Sequence, residues 1–148
     1  MNDDSLLDLE FEIVGGDFNQ AGRVSTRLKS ILKEVGFNPQ VVRRVAISTY
    51  EAEMNVVMYA RRGVLRFKAS PQRISIVIED EGQGIENIEM AMKEGYSTAT
   101  DEMREMGFGA GMGLPNIKRN SDRFEITSEI GKGTRLKVTI IAGDGTRS

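Results

Sequence analysis

The sequence contains no cysteine and no histidine among its 148 residues. Without cysteine, a disulfide framework and a thiolate metal site are both excluded. Without histidine there is no imidazole ligand and no phospho-histidine, and any general base must be a carboxylate, a lysine or a tyrosine. Proton abstraction by this chain is therefore expected from a carboxylate, an amine or a phenol.

The sequence also lacks a large net charge and long apolar runs. The net charge is −2 and the sequence pI is about 5.3, so the composition predicts no general binding to nucleic acid. No apolar run approaches the ~18–20 residues that span a membrane. The N-terminus, Met-Asn-Asp-Asp-Ser, lacks the basic and apolar regions of a signal peptide. We therefore expect a soluble cytoplasmic protein without a membrane partner.

The composition is that of one globular domain, with 39% hydrophobic and 28% charged residues. We expect the domain to cover residues 9–141, with a flexible N-terminus at 1–8 and a flexible tail at 142–148. Residues 93–106 have weak periodicity and many small or polar side chains, and are interpreted as a mobile loop.

Hydrophobic periodicity predicts an α+β fold. Strands are predicted at residues 9–13, 64–69, 73–79, 124–128 and 136–140. Helices are predicted at residues 18–35, 39–60 (ended by Gly63), 85–92 and from 114 onward. Because the strands form hairpins and the helices are grouped elsewhere, we expect a two-layer α/β sandwich with a mixed, mostly antiparallel sheet and helices on one face.

The strand ending in Ile-Glu-Asp-Glu-Gly-Gln-Gly delivers Asp80 to its end, followed by Gly82 and Gly84. A side chain held at a strand end beside bare backbone can offer a carboxylate to a flat polar ligand. Many β-turns would match this pattern, so the motif alone is a weak indication of a site.

Two polar residues of the second predicted helix, Glu51 and Asn55, are four residues apart and share a face. Asn55 can supply a neutral oxygen to a hard cation, and Glu51 can take a proton from water or a hydroxyl. An ordinary solvated helix face explains the pair equally simply and is favoured when the pair is taken alone. Glu53 is expected to lie on the surface.

Glycines alternate with other residues from Gly107 to Gly113, immediately before a predicted helix. Bare amides leading into a helix N-terminus form a natural phosphate site, but a flexible linker is an equally good interpretation. Gly133-Thr134 is most simply part of a hairpin turn, and a functional role would place the Thr134 hydroxyl near a phosphate.

The order and spacing of these motifs together are more specific than each motif alone. Glu51/Asn55, Asp80/Gly82/Gly84, the glycine run and Gly133-Thr134 resemble the N, G1, G2 and G3 boxes of the GHKL ATPases, which have the Bergerat (histidine-kinase-like ATPase) fold. Within that superfamily, Tyr-Glu-Ala-Glu-Met-Asn and Gly-Leu-Pro-Asn-Ile-Lys-Arg resemble the bacterial anti-sigma regulatory kinases, and most closely the stressosome-type switch kinases.

The resemblance implies a role for each matching residue. Asp80 would accept the adenine amino group, and Gly82 and Gly84 would permit close approach of the base. Asn55 would ligate Mg²⁺, and Glu51 would activate the attacking hydroxyl.

For the phosphate end of the nucleotide, the resemblance implies a cradle formed by Gly109, Gly111 and Gly113. The segment 93–107 would be a lid, and Thr134 would touch the nucleotide.

The implied activity is that of an ATP- and Mg²⁺-dependent serine/threonine protein kinase whose substrate is a STAS-domain protein of a partner-switching pathway. One alternative is an anti-sigma factor that sequesters a sigma factor, and another is an ATP-gated scaffold without kinase activity. The lack of histidine excludes an autophosphorylating histidine kinase.

Overall fold

Five strands form one antiparallel sheet in the computed structural model, which describes residues 5–93 and 113–143. The strands are β1 (Leu7–Val14), β2 (Ala60–Ala69), β3 (Arg73–Gly82), β4 (Arg123–Glu129) and β5 (Gly133–Ile141). Their order across the sheet is β1-β2-β3-β5-β4, and every neighbouring pair is antiparallel. The predicted α+β sandwich is confirmed.

The helices pack around α2. They are a 3-10 turn (Phe18–Gln20), α1 (Arg23–Val35), α2 (Pro39–Tyr59), α3 (Ile88–Ala91) and α4 (Gly113–Arg119). Helix α2 contacts α1 and α4 on its two sides and lies against four of the five strands. Among the described helices, none combines the length and the apolar character needed to cross a membrane.

Helix α2 begins as its sequence predicts but ends earlier. The Asn38 side chain accepts a hydrogen bond from Gln40 N at 2.8 Å, with Pro39 in the first turn. The expectation that Gly63 ends the helix is wrong, because Gly63 lies inside β2. A Cβ at Gly63 would lie 2.9 Å from the Val56 side chain, so the glycine allows close packing of α2 on the strand.

The predicted helix over residues 18–35 is divided in two. A 3-10 turn covers Phe18–Gln20, and α1 starts only after Gly22, whose φ of 92° is left-handed. Phe18 and Ala21 still pack against the hydrophobic core. Their helical spacing therefore predicts their contact with the core correctly, although the helix itself is interrupted at Gly22.

The core lies between the helices and one face of the sheet. Its most deeply buried apolar side chains include Leu28, Leu32, Val45, Val56, Phe67, Ile74, Ile76 and Ile140, each at most 1% exposed. The other sheet face carries ion pairs between strands, with Arg66 lying 3.1 Å from Glu10 and 3.6 Å from Glu79. The described helices thus cover the apolar face.

Candidate functional site

Asp80 is held in a fixed orientation near the end of β3. Its Oδ1 accepts a hydrogen bond from the backbone N–H of Thr134 at 3.0 Å, and the N–H of Gly82 also reaches the carboxylate. Burial raises the pKa of Asp80 above its ordinary value, and these two hydrogen bonds only partly oppose that rise. The result is a half-buried carboxylate that is held by two backbone N–H groups.

Bare backbone surrounds this carboxylate. A Cβ at Gly82 would lie 3.1 Å from Asp80 Oδ1 and 3.0 Å from the carbonyl oxygen of Tyr59. A Cβ at Gly133 would overlap the Asp80 carbonyl oxygen. The missing side chains let the end of α2, the end of β3 and the start of β5 meet beside the carboxylate.

Gly84 has a structural reason to be glycine. Its φ is 80°, and a Cβ there would overlap the Glu129 carbonyl and lie 2.9 Å from Ile130 Cα. Gly131 N donates to Gln83 O at 2.9 Å beside it. The segment after β3 is therefore packed onto the turn between β4 and β5, and contact of Gly84 with an adenine ring stays a prediction.

Thr134 acts on the site through its backbone. Its N–H orients Asp80, whereas its hydroxyl lies 2.8 Å from the hydroxyl of Ser128. Ser128 Oγ in turn accepts the N–H of Ile85 at 2.7 Å. The predicted contact between the Thr134 hydroxyl and a nucleotide stays a prediction.

Glu51 and Asn55 both face α4, the helix that follows the glycine run. Asn116 Nδ2 donates to Glu51 Oε2 at 2.7 Å. A Cβ at Gly113 would lie 3.3 Å from Asn55 Oδ1. Because Gly113 meets the later residue of α2 and Asn116 the earlier one, the two helices run antiparallel, with the start of α4 beside Asn55.

The glycine run itself is only partly described. Gly113 is placed against Asn55, while Gly109, Gly111 and the segment 94–107 of the predicted lid lie outside the described residues. The predicted phosphate cradle and lid therefore stay predictions.

Helix α2 connects the two parts of the site. Asn55 lies four residues before Tyr59, whose carbonyl abuts Gly82 next to Asp80. Four residues correspond to about 6 Å along a helix axis. The predicted residues Glu51, Asn55, Asp80 and Gly113 consequently lie along one continuous path from α4 to the end of β3.

The expectation that Glu53 lies on the surface is wrong. Glu53 is 1% exposed, and its two carboxylate oxygens accept the N–H groups of Val24 and Ser25, each at 3.2 Å. It thereby caps the first turn of α1 from the neighbouring helix. Burial raises the pKa of Glu53, and the hydrogen bonds from α1 only partly oppose that rise.

The sequence does contain a signal for this buried carboxylate. Thr49, Val56 and Val57 lie four before, three after and four after Glu53, and all three are buried. Residues at this spacing share one stripe of a helix. Helical position therefore predicts burial of Glu53, whereas its charge suggested the surface.

The described residues offer few ligands for a metal ion. Within the described ranges there is no group of three or more acidic residues, histidines or cysteines that could hold a metal ion. Mg²⁺ typically takes one or two protein oxygens and completes its shell with water and phosphate oxygens. Asn55 Oδ1, facing the start of α4, can be such a single protein ligand.

Comparisons with known proteins identify the family of the chain. The family model for the histidine kinase-like ATPase domain matches residues 16–140, which include every candidate residue. The chain is 32% identical over 143 residues to serine/threonine-protein kinase RsbT of Bacillus subtilis, covering 93% of this chain and 96% of that protein. It is 36% identical over 98 residues to an anti-sigma F factor of a Thermoanaerobacter species, covering 63% and 65% of the two chains.

A solved structure shares the fold. The crystal structure of the RsbU and RsbW domains of a Mycobacterium tuberculosis protein has a TM-score of 0.60 at 15% identity, and covers 90% of this chain and 32% of that one. The family match covers most of the sequence, and the RsbT match covers nearly all of it. The chain therefore belongs to the histidine kinase-like ATPase domain family.

Proposed function

We propose that the protein is a Mg-ATP-dependent serine/threonine protein kinase of a bacterial partner-switching pathway, with a STAS-domain protein as its substrate. The observation that carries the proposal is the position of α4, which meets Glu51 and Asn55 at the point where the glycine run ends. This arrangement puts a candidate base beside candidate metal and phosphate ligands. Kinship to the kinase RsbT supports the same activity.

The end of β3 would bind the adenine base of the nucleotide. Asp80 Oδ1 is occupied by the N–H of Thr134, and the carboxylate would accept the adenine amino group with its remaining capacity. Because Gly82 carries no side chain, the carbonyl of Tyr59 at the end of α2 packs directly beside this carboxylate. Asp80 would thus select adenine by accepting a hydrogen bond.

The negative charge of the phosphates would be neutralised at the start of α4. Asn55 would hold Mg²⁺ through its amide oxygen, and Gly113 would present bare backbone where the helix begins. When bound, the metal neutralises phosphate charge, which is the main requirement of phosphoryl transfer.

Glu51 would act as the general base. Its side chain is half-buried, and Asn116 anchors one of its oxygens, so the carboxylate has a defined direction. In this position Glu51 would accept the proton that the substrate hydroxyl loses as its oxygen bonds to the γ-phosphorus of ATP, while the bond from that phosphorus to the β,γ-bridging oxygen breaks and ADP leaves.

A groove between α1 and α2 gives a second polypeptide access to Glu51. It has a volume of about 390 Å³ and is lined by Ser25, Thr26, Lys29, Ala46, Ile47, Tyr50 and Glu51. Tyr50 is 42% exposed there. The proposed protein substrate would present its serine or threonine to Glu51 from this groove.

Transfer of labelled γ-phosphate tests the proposal. We expect the wild-type protein to label a serine or threonine of one of the host's small STAS proteins, and Glu51→Gln to lower the rate by about 100-fold or more. Glu34→Gln, at an exposed position of α1, is the matched control and should retain the wild-type rate. Failure of the wild-type protein to label any of them would contradict the kinase assignment.

The alternative is sigma-factor sequestration, and the similarity to anti-sigma F factors is the observation that favours it. Size-exclusion chromatography separates the two functions. A stable complex with a sigma factor, together with no complex with STAS proteins, would favour the alternative.

A further inference from the structure

Asn116 connects the helix after the glycine run directly to Glu51. Its Nδ2 lies 2.7 Å from Glu51 Oε2, and both side chains are half-buried. We propose that Asn116 is a positioning residue that orients the Glu51 carboxylate for proton transfer. The inference rests on the proposed function, in which Glu51 is the general base.

The orientation of the Asn116 amide follows from its two partners. Arg119 Nη1 donates to Asn116 Oδ1 at 3.4 Å, while Nδ2 faces the Glu51 carboxylate. A guanidinium group can only donate and an ionised carboxylate can only accept. The reversed amide would face each partner with the wrong group, so these two neighbours select the orientation in which Asn116 donates to Glu51.

The backbone that carries Asn116 is attached to α2 on both sides of it. Toward its N-terminus, Gly113 abuts Asn55. Toward its C-terminus, Arg44 Nε donates to Asn120 O at 3.1 Å. The position of the Asn116 backbone beside Glu51 is therefore set by the packing of α4 on α2.

This contact gives the two Glu51 carboxylate oxygens different roles. The Asn116 amide engages Oε2, and acceptance of the substrate proton then falls to Oε1. Since Asn116 lies one turn after Gly113 on the same helix, a displacement of α4 would also move the partner of the base. Asn116 thus couples the direction of Glu51 to the helix that begins at the end of the glycine run.

The experiment is a double-mutant cycle between Asn116→Ala and Glu51→Gln in the phosphotransfer assay, with ATP affinity measured in parallel. We expect Asn116→Ala to lower kcat by about 10–100-fold, because a misdirected base is costly, and to leave ATP affinity within about twofold. In the Glu51→Gln background the same substitution should cause no further loss. Lys118→Ala, at an exposed position of α4, should match the wild type.

Asn116→Asp provides a second variant of nearly the same shape. It replaces the donor with an acceptor facing Glu51 and should lower kcat at least as much as Asn116→Ala. A wild-type kcat in either variant would overturn the inference, as would an equal loss with and without the Glu51 carboxylate, or a loss confined to ATP affinity. If the wild-type protein transferred no phosphate, the proposed function and this inference would both fail, an outcome visible before any variant is compared.

Discussion

Two carboxylates on α2, Glu51 and Glu53, have different partners although only one residue separates them. Successive helical residues are rotated by about 100°, so positions two apart face different neighbours. Glu51 meets α4 through Asn116, and Glu53 meets the first turn of α1 through Val24 and Ser25. Together the two carboxylates attach α2 to both flanking helices.

The pH dependence of stability tests the burial of Glu53. Its pKa is raised in the folded state, so its contribution to stability is fully present below its unfolded pKa and is lost as pH rises through the folded value. Urea unfolding at a series of pH values should show the wild-type free energy of unfolding falling relative to that of Glu53→Gln as pH rises from about 4.5.

The control for this series is Glu34→Gln, at an exposed position of α1. The difference in unfolding free energy between this variant and the wild type should stay the same across the pH series. A difference between wild type and Glu53→Gln that does not change with pH would contradict the account of Glu53.

The residues of the site were predictable to different degrees. Strand and helix periodicity predicts only the positions of Asp80, Glu51 and Asn55, and the order and spacing of the motifs supply the roles proposed for them. Asn116 could not be predicted, because its contact joins residues 65 positions apart and depends on how α4 packs against α2. The burial of Glu53 could have been predicted from its helical position, but its charge indicates a surface position.

At the scale of elements, the periods of 2 and 3.6 residues predicted the five strands and the main helices of the part of the chain that the structure describes. The ends were less predictable, because pairing with neighbouring strands determines them. Strand β3 extends to Gly82 because that residue pairs with Ala60 at the start of β2, across an irregularity between Ala60 and Gly63. Such long-range pairing leaves no periodic signal in either segment alone.

Gly84 and Gly131 allow a matched test of the packing after β3. Both have positive φ, at 80° and 83°, but only Gly84 would bring its Cβ against neighbouring backbone. Gly131→Ala should cost about 1 kcal/mol of unfolding free energy through its backbone conformation. Gly84→Ala adds the overlap with Glu129 and should cost about 2 kcal/mol or more beyond that. Equal unfolding free energies of the two variants would contradict this packing.

For the whole molecule, the sheet separates two environments. Its inner face supports α2, and its outer face carries charged residues, among them Arg66, that form ion pairs with neighbouring strands. The candidate site lies where α2, the end of β3 and the start of β5 meet, beside α4. We propose that the strand end recognises adenine and that α2 accepts the proton. Substitutions should therefore be able to change ATP binding and phosphate transfer separately.

The measurement that tests this separation most directly is the ATP dissociation constant of Asp80→Asn and Glu51→Gln, with phosphate transfer followed in the same samples. Asp80→Asn should weaken ATP binding by about tenfold or more, because an amide N–H₂ would face the adenine amino group. Glu51→Gln should keep its ATP affinity within about twofold and lose transfer. Wild-type ATP affinity in Asp80→Asn would contradict the assignment of the site.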